Sequence, residues 1–185
     1  RGLGDVYKRQ VIKCGFIADP EILEIARSHS VDTLRQNPDV IAGLIRRAVM
    51  VKAQVVSSDF KESFAREALN YGHTLGHAIE IFSKYRLRHG EAVSIGLVYA
   101  AELASARGLI SQAELDMHRT ILSAYGLPIT YDRQAWQKIS PLLALDKKTR
   151  GDTIRFVALN GIGTTIRLED LTSDELDAAY ERICS

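Results

Sequence analysis

Glu62-Ser-Phe-Ala-Arg-Glu-Ala-Leu-Asn-Tyr-Gly-His-Thr-Leu-Gly-His-Ala-Ile-Glu80 is the stretch that decides how this chain is organised. Taken as one helix, at about 100° per residue, it separates into an apolar face that can join a core and a polar stripe. The stripe spans roughly 80° and carries Glu62, Arg66, Asn70, His73, His77 and Glu80. Gly72 and Gly76 lie beside it. Because a glycine costs a helix about 1 kcal/mol relative to alanine, they predict that another group approaches the backbone closely.

The histidines favour a binding site over a solvated helix face. Solvated faces normally use Lys and Glu, which form better helices than His and Asn. His73 and His77 are four residues apart and can point into one cavity, and His89 reaches the same place if the chain turns back after Tyr85. Two imidazoles from the helix, or one of them with His89, would suit a divalent metal. A remaining histidine and Glu62 could then transfer protons.

The composition is that of an ordinary globular protein and excludes several functions. The chain has 185 residues, of which 46% are hydrophobic and 25% charged, and its net charge is +1. This charge predicts neither nucleic-acid binding nor attraction to an anionic membrane. No apolar run approaches the ~18 residues of a membrane span. Cys14 and Cys184 lie at opposite ends of the sequence, which indicates a reducing, cytoplasmic setting.

Local signals predict a mainly α-helical fold with one small β-hairpin. Asp19-Pro20 and Asn37-Pro38 each start a helix, and capping boxes at Ser111–Glu114 and Thr172–Glu175 start two more. A further helix is predicted to start at Ser140-Pro141. The hairpin is predicted to join residues 153–159 to 165–168 through the turn at Gly161 and Gly163. Residues 1–10 show no clear period and are interpreted as a loose lead-in.

Several cationic and histidine side chains have two possible interpretations. Lys52 lies close to the apolar stripe of its helix, so it either extends to water or points into a site to hold an anion. The basic segment 146–150 is either a solvated loop or an anion contact. His118 has polar sequence neighbours, which favours an exposed position.

Two histidine motifs resemble those of 3-dehydroquinate synthases. The motifs are residues 69–80, Leu-Asn-Tyr-Gly-His-Thr-Leu-Gly-His-Ala-Ile-Glu, and 88–96, Arg-His-Gly-Glu-Ala-Val-Ser-Ile-Gly. Shorter matches follow in the family's order at Val11–Asp19, Val51–Ala53, Lys61–Ser63, Asp146–Lys148 and Gly161–Gly163. The resemblance covers nearly all of residues 11–185. It implies the helical metal- and substrate-binding C-terminal domain, with the N-terminal NAD-binding domain absent from this chain.

The resemblance also implies an activity and roles for individual residues. The family converts a seven-carbon sugar phosphate, 3-deoxy-D-arabino-heptulosonate 7-phosphate, into 3-dehydroquinate and phosphate in the shikimate route, using NAD and a divalent metal, zinc or cobalt. It implies a homodimer for the full-length enzyme. By this resemblance His73 and His89 are metal ligands, and His77 and Glu62 transfer protons. The substrate contacts would be Lys13, Lys52, Arg66, Asn70 and one of Lys147 and Lys148.

One departure from the family pattern affects the metal. The family carries Ala-Glu before Val-Ile-Lys, and that glutamate is the third metal ligand, whereas Arg9 and Gln10 stand there in this chain. A neutral amide is a weaker ligand than a carboxylate. We therefore expect residues 1–10 to be foreign to the family and the chain alone to be inactive. The alternatives are another sugar-phosphate cyclase that makes a cyclitol, and a helical module without catalysis.

Overall fold

The computed structural model describes residues 2–58, 66–150 and 154–185, without the side chains of 2–7, 58 and 144–150. These residues form nine α-helices and a two-stranded hairpin, and short 3₁₀ turns lie at Ala68–Asn70 and Arg133–Ala135. The helices are α1 Gly2–Ile17, α2 Pro20–Ser28, α3 Val31–Arg35, α4 Pro38–Ser58, α5 His73–Phe82, α6 His89–Ala106, α7 Gln112–Ala124, α8 Trp136–Arg150 and α9 Ser173–Glu181. The strands are β1 Phe156–Leu159 and β2 Thr165–Leu168. The predicted mainly α fold is confirmed.

Helix α6 is the centre of the core. Residues 92–104 are all buried, and α1, α5, α7, α9 and β1 pack around them. A helix that is surrounded in this way needs apolar or small side chains on every face, which explains its run of Ala, Gly, Val and Leu. The buried exception is Glu102, which pairs with Arg119 at 2.5 Å and with Arg182 at 3.6 Å.

The local start signals are confirmed where they were strongest. Ser111 and Thr172 each accept a hydrogen bond from the backbone N–H three residues later, and Glu114 and Glu175 return the bond to complete both capping boxes. The strands pair antiparallel, with Phe156 opposite Leu168. No helix among the described residues has the length and apolar character that a membrane span requires.

Three predictions about element boundaries were wrong. The stretch 62–80 is not one helix, because the chain leaves the 3₁₀ turn at Asn70 and starts α5 only at His73. Residues 2–10 belong to α1 instead of a loose lead-in, since α1 continues from Gly2 to Ile17. Helix α8 begins at Trp136, so Pro141 lies inside it, near its start. At this position the proline gives up the hydrogen bond to the carbonyl four residues earlier, and its ring crowds that carbonyl.

Candidate metal and anion site

Three imidazoles meet along the contact between α5 and α6, where the start of α5 at Gly72 lies against Leu97 and Glu80 near its end reaches His89 at the start of α6. His73 and His77 come from the first turns of α5, and His89 is the first residue of α6. The ring centroid of His73 lies 5.3 Å from that of His77 and 5.4 Å from that of His89. The centroids of His77 and His89 are 6.0 Å apart. The predicted approach of His89 to His73 is therefore present in the structure.

A tight turn before α5 sets the direction of His73. Tyr71 (φ −51°, ψ 123°) and Gly72 (φ 78°, ψ −4°) have the angles of a type II β-turn, whose third position requires a residue that tolerates positive φ. The turn lies directly against α6, since a Cβ at Gly96 would be 1.9 Å from the carbonyl oxygen of Gly72. The close approach that the glycines predicted is therefore made by α6.

The hydrogen bonds of His73 leave one ring nitrogen available. Its Nδ1 lies 3.1 Å from the backbone carbonyl of Tyr71, which can only accept, so Nδ1 carries the proton. Burial, with the positive charge of Lys13 next, lowers the pKa of His73 to about 3, and the ring is therefore neutral at pH 7. A neutral imidazole protonated at Nδ1 presents the lone pair of Nε2, which is the form a metal binds.

His89 follows the same arrangement with a carboxylate as its acceptor. Its Nδ1 lies 3.0 Å from Oε2 of Glu80, which leaves the lone pair of Nε2 as the second one available to a metal. Ligand atoms of His77, Glu80 and His89 also lie within 4.8 Å of one another, a spacing that a metal could use. Since Glu80 already accepts from His89, we assign it the orienting role that carboxylates commonly have behind metal-binding histidines. The imidazoles thus fit a zinc-like ion.

The other side of the site is cationic. Lys13 is buried, with 5% of its surface exposed, and donates to the carbonyl of Leu69. Burial and then the nearby charge of Arg9 lower the pKa of Lys13 to about 7. Lys52 is exposed on α4 and close enough to add to that effect. Because Lys52 is close to Lys13, we favour the interpretation in which Lys52 contributes to the site over the one in which it only extends to water.

Arg9, for which the sequence predicted no role in binding, lies close enough to His73 to lower the pKa of that histidine. Its side chain is only 3% exposed, and its Nε has no hydrogen-bond partner within the described part of the chain. Burial lowers the pKa of Arg9, which also senses the charges of Cys14 and Glu80. The neighbouring Gln10 is half-buried and supplies no carboxylate. This corner of the site therefore favours an anion over a metal ion.

Of the remaining predicted site residues, two are described with their side chains, one lies outside the described residues, and two are described by their backbone alone. Asn70 is half-buried and ends the 3₁₀ turn before Tyr71, while Arg66 is exposed one turn earlier. Because the turn separates them from α5, they do not continue its polar stripe. Glu62 lies outside the described residues. Lys147 and Lys148 belong to the last turn of α8, and their side chains are likewise outside the description.

The predicted exposure of His118 was wrong. It is completely buried, and its ring stacks on Phe16 with 3.6 Å between centroids. Asp116 and Thr120 face water while the ring points inward. A buried residue of this kind could have been recognised only from the helical periodicity of Leu115, His118 and Leu122.

A helical domain in which clustered imidazoles lie beside buried and exposed cations is typical of enzymes that hold a metal next to an anionic ligand. Comparison with known proteins identifies the particular group. The family model for the 3-dehydroquinate synthase C-terminal domain matches residues 9–149, and the chain belongs to this family.

Curated relatives agree with this membership. The chain is 52% identical over 176 residues to a 3-dehydroquinate synthase of Paenarthrobacter aurescens, which covers 95% of this chain and 48% of the relative. A 3-dehydroquinate synthase of Nocardia farcinica is 51% identical over 174 residues, 94% of this chain and 47% of the relative. The chain thus spans about half the length of the curated relatives it matches.

Solved structures share the fold. A 2-epi-5-epi-valiolone synthase from Streptomyces hygroscopicus subsp. jinggangensis, solved with NAD⁺ and Zn²⁺, superposes with a TM-score of 0.85 at 24% identity, over 96% of this chain and 51% of that one. A 2-deoxy-scyllo-inosose synthase, solved with carbaglucose-6-phosphate, NAD⁺ and Co²⁺, gives 0.77 at 22% identity, over 97% and 53%. At these identities the likeness concerns the fold alone.

Proposed function

We propose that this chain is the metal- and substrate-binding half of a 3-dehydroquinate synthase, a lyase that converts 3-deoxy-D-arabino-heptulosonate 7-phosphate into 3-dehydroquinate and phosphate. The observation that carries the proposal is the convergence of His73 and His89, each with Nδ1 bonded to a protein acceptor and Nε2 available. The identity of about half of all aligned residues to named 3-dehydroquinate synthases supports this reaction.

The chain's own residues would bind, orient and exchange protons. His73 and His89 would hold a zinc or cobalt ion, and Glu80 would keep His89 oriented. When bound, the metal would polarise a substrate hydroxyl and NAD would accept and return a hydride. His77, in contact with both other rings, would take and return a proton, a role that Glu62 would share.

Lys13 and Lys52 would fix the anionic groups of the substrate. Fixed cations in a partly buried site stabilise phosphate and carboxylate more strongly than cations in water do. An anion beside Lys13 would favour its charged form, so substrate binding near pH 7 should be coupled to proton uptake at this lysine. Asn70, Arg66 and one of Lys147 and Lys148 would complete the contacts.

The rest of the relatives' length would supply a partner domain. Because the matching family model describes a C-terminal domain, we infer that an NAD-binding half precedes it in the whole enzyme. This half would pack on the exposed α4 face, which we define as Ile45, Val49 and Val56 beside Lys52. The exposed fractions are 40% for Ile45, 57% for Val49 and 53% for Val56. Apolar residues so grouped on a helix mark an interaction surface. A reducing cytoplasmic location, suited to the free thiols of Cys14 and Cys184, and a homodimer of the whole enzyme belong to the same proposal.

The reaction can be tested by joining the Gln10→Glu chain to the N-terminal half of the Paenarthrobacter relative. Phosphate release should occur with the heptulosonate phosphate and not with glucose 6-phosphate. Release from glucose 6-phosphate would instead favour a cyclitol-forming cyclase, the class to which the solved neighbours belong.

A metal titration separates the enzyme from a helical module without catalysis. In the isolated chain, Gln10→Glu should strengthen zinc binding, because it restores a carboxylate at the family's ligand position. His73→Ala in the same background should remove that gain. Zinc uptake that ignores both changes would contradict the proposed site.

A further inference from the structure

His118 lies outside the proposed site, on the far side of Tyr71. Its ring is enclosed between Phe16 of α1, with an interplanar angle of 10°, and Tyr71, which meets it edge-on. Nδ1 lies 2.7 Å from the backbone carbonyl of Glu114, and Nε2 lies 2.9 Å from the hydroxyl of Tyr71. Both ring nitrogens are thus used inside the protein.

The direction of each hydrogen bond in this cluster follows from its partners. A backbone carbonyl only accepts, so Nδ1 of His118 carries a proton. Burial lowers the pKa of His118 to about 4, so the ring is neutral at pH 7 and Nε2 is an acceptor. The hydroxyl of Tyr71 must therefore donate to it, and burial raises the pKa of this phenol, which keeps the proton in place.

Tyr71 connects this cluster to the candidate metal ligand. The same residue that donates its hydroxyl to His118 offers its backbone carbonyl to Nδ1 of His73. That carbonyl belongs to the central peptide of the type II turn, the peptide whose orientation distinguishes type II from type I. If it rotated, the carbonyl would leave Nδ1 of His73.

The far end of the connection is anchored to two other elements. Glu114 lies in the first turn of α7, where its carboxylate accepts from the backbone N–H of Ser111 at 2.7 Å. The same carboxylate accepts from the N–H of Ile162 in the hairpin turn at 3.1 Å. The carbonyl that orients His118 is therefore held by the capping box and the hairpin together.

We propose that His118 is a positioning residue for His73. By holding the hydroxyl of Tyr71, it fixes the Tyr71 carbonyl, which keeps the proton of His73 on Nδ1 and leaves Nε2 for a metal. The metal in this statement rests on the proposed function, whereas the tautomer of His73 does not.

Two variants of His118 separate positioning from simple packing. His118→Phe keeps a ring to stack on Phe16 and removes the acceptor for Tyr71. His118→Gln loses the ring but places an amide oxygen where Nε2 accepted. Tyr71→Phe removes only the hydroxyl, and Tyr99→Phe is its control, since Tyr99 is also buried and donates its hydroxyl to a carbonyl, that of Leu176 at 3.1 Å.

The first readout is the tautomer of each histidine, measured by ¹⁵N NMR of the metal-free chain. We expect the Nδ1–H form for His118 and His73 in the unchanged chain, and a mixture of tautomers at His73 in Tyr71→Phe and His118→Phe. His118→Gln and Tyr99→Phe should keep His73 in the Nδ1–H form. An Nε2–H form of His118 in the unchanged chain would overturn the proposal even if no variant folded, as would a His73 unaffected by Tyr71→Phe.

The second readout is cobalt affinity, followed by the visible spectrum of bound Co²⁺. Loss of an orienting partner behind a metal ligand typically weakens binding 10- to 100-fold, and we expect about that loss in Tyr71→Phe and His118→Phe. If the Gln10→Glu chain, which carries the family's carboxylate, bound no cobalt while the tautomer of His73 still responded, the proposed function would fail and the positioning role would stand. If cobalt bound equally to all variants, the positioning role would fail and the metal site would stand.

Discussion

Replacement of Gly96 by alanine tests whether the contact between α6 and the turn at Gly72 holds the site together. The new Cβ would lie 1.9 Å from the Gly72 carbonyl oxygen, a separation that real Cβ atoms essentially never show. Relief requires the turn or the helix to move by more than 1 Å, about the distance to ordinary contact. The same carbonyl accepts the hydrogen bond from Gly76 that starts α5, at 3.2 Å, so movement there would also disturb the first turn of that helix.

Two opposing effects determine the size of the change. Overpacking a well-packed core costs typically 1–3 kcal/mol and occasionally more, and we take about 3 kcal/mol because the three nearest opposing atoms all belong to backbone. Alanine gains about 1 kcal/mol over glycine within a helix. The net expected loss is about 2 kcal/mol, which for a chain of this size corresponds to roughly 4–8 °C in melting temperature.

Gly43 supplies the matched control, because a Cβ there would meet nothing within 4 Å and the residue lies inside α4. Gly43→Ala should stabilise the chain by about 0.5–1 kcal/mol, through helix propensity alone. Urea unfolding followed by circular dichroism gives both free energies in one experiment. A Gly96→Ala chain as stable as Gly43→Ala would refute the packing argument.

Three further predictions concern single side chains. Glu80→Gln should weaken zinc binding about 10-fold or more in equilibrium titration, because an amide orients His89 less well than a carboxylate, and an unchanged affinity would count against its orienting role. As the pH is lowered from 6.5 to about 4, the free energy of unfolding should fall, because the histidine is protonated in the unfolded chain while buried His118 stays neutral in the folded one. His118→Phe should remove up to about 3 kcal/mol of this fall. Equal pH profiles for the two chains would contradict this prediction. In sedimentation the chain should self-associate through the exposed α4 face, Val49→Lys should reduce this more than Gln54→Lys on the opposite side of α4, and a monomeric unchanged chain at high concentration would disprove it.

Much of the fold was predictable because its signals are local. Proline at the first turn of α2 and α4 lacks an N–H that would have no helical partner there, and the capping boxes of α7 and α9 satisfy backbone donors within three residues of sequence. The hairpin was predictable for the same reason, since Gly161 and Gly163 provide the positive φ angles of its turn. Each of these signals depends on near neighbours and on no tertiary contact.

The errors arose where a distant residue decides the local structure. Residues 62–80 have a helical pattern, and Gly72 alone does not reveal that the chain turns there, because the reason is the backbone of α6 at Gly96. His118 was misplaced since Phe16, about 100 residues away in sequence, provides the surface on which it stacks. The convergence of the three imidazoles was predictable because His73 and His77 are four residues apart on one helix and the chain can turn back after Tyr85 to bring His89 to them.

The arrangement of this site separates two requirements for holding a metal. The imidazoles are oriented by the protein itself, through the Tyr71 carbonyl and the Glu80 carboxylate, so their geometry does not depend on the residues before Val11. The charge of the site does depend on them, since Gln10 brings no negative charge and Arg9 brings a buried positive one close to His73. In such surroundings, the strength with which a metal ion binds depends on the balance of nearby charges as much as on the geometry of its ligands. Weak metal binding by this chain would therefore reflect a missing carboxylate beside a preformed pair of histidines, which is why restoring the carboxylate at Gln10 is expected to strengthen zinc binding without any change in α5 or α6.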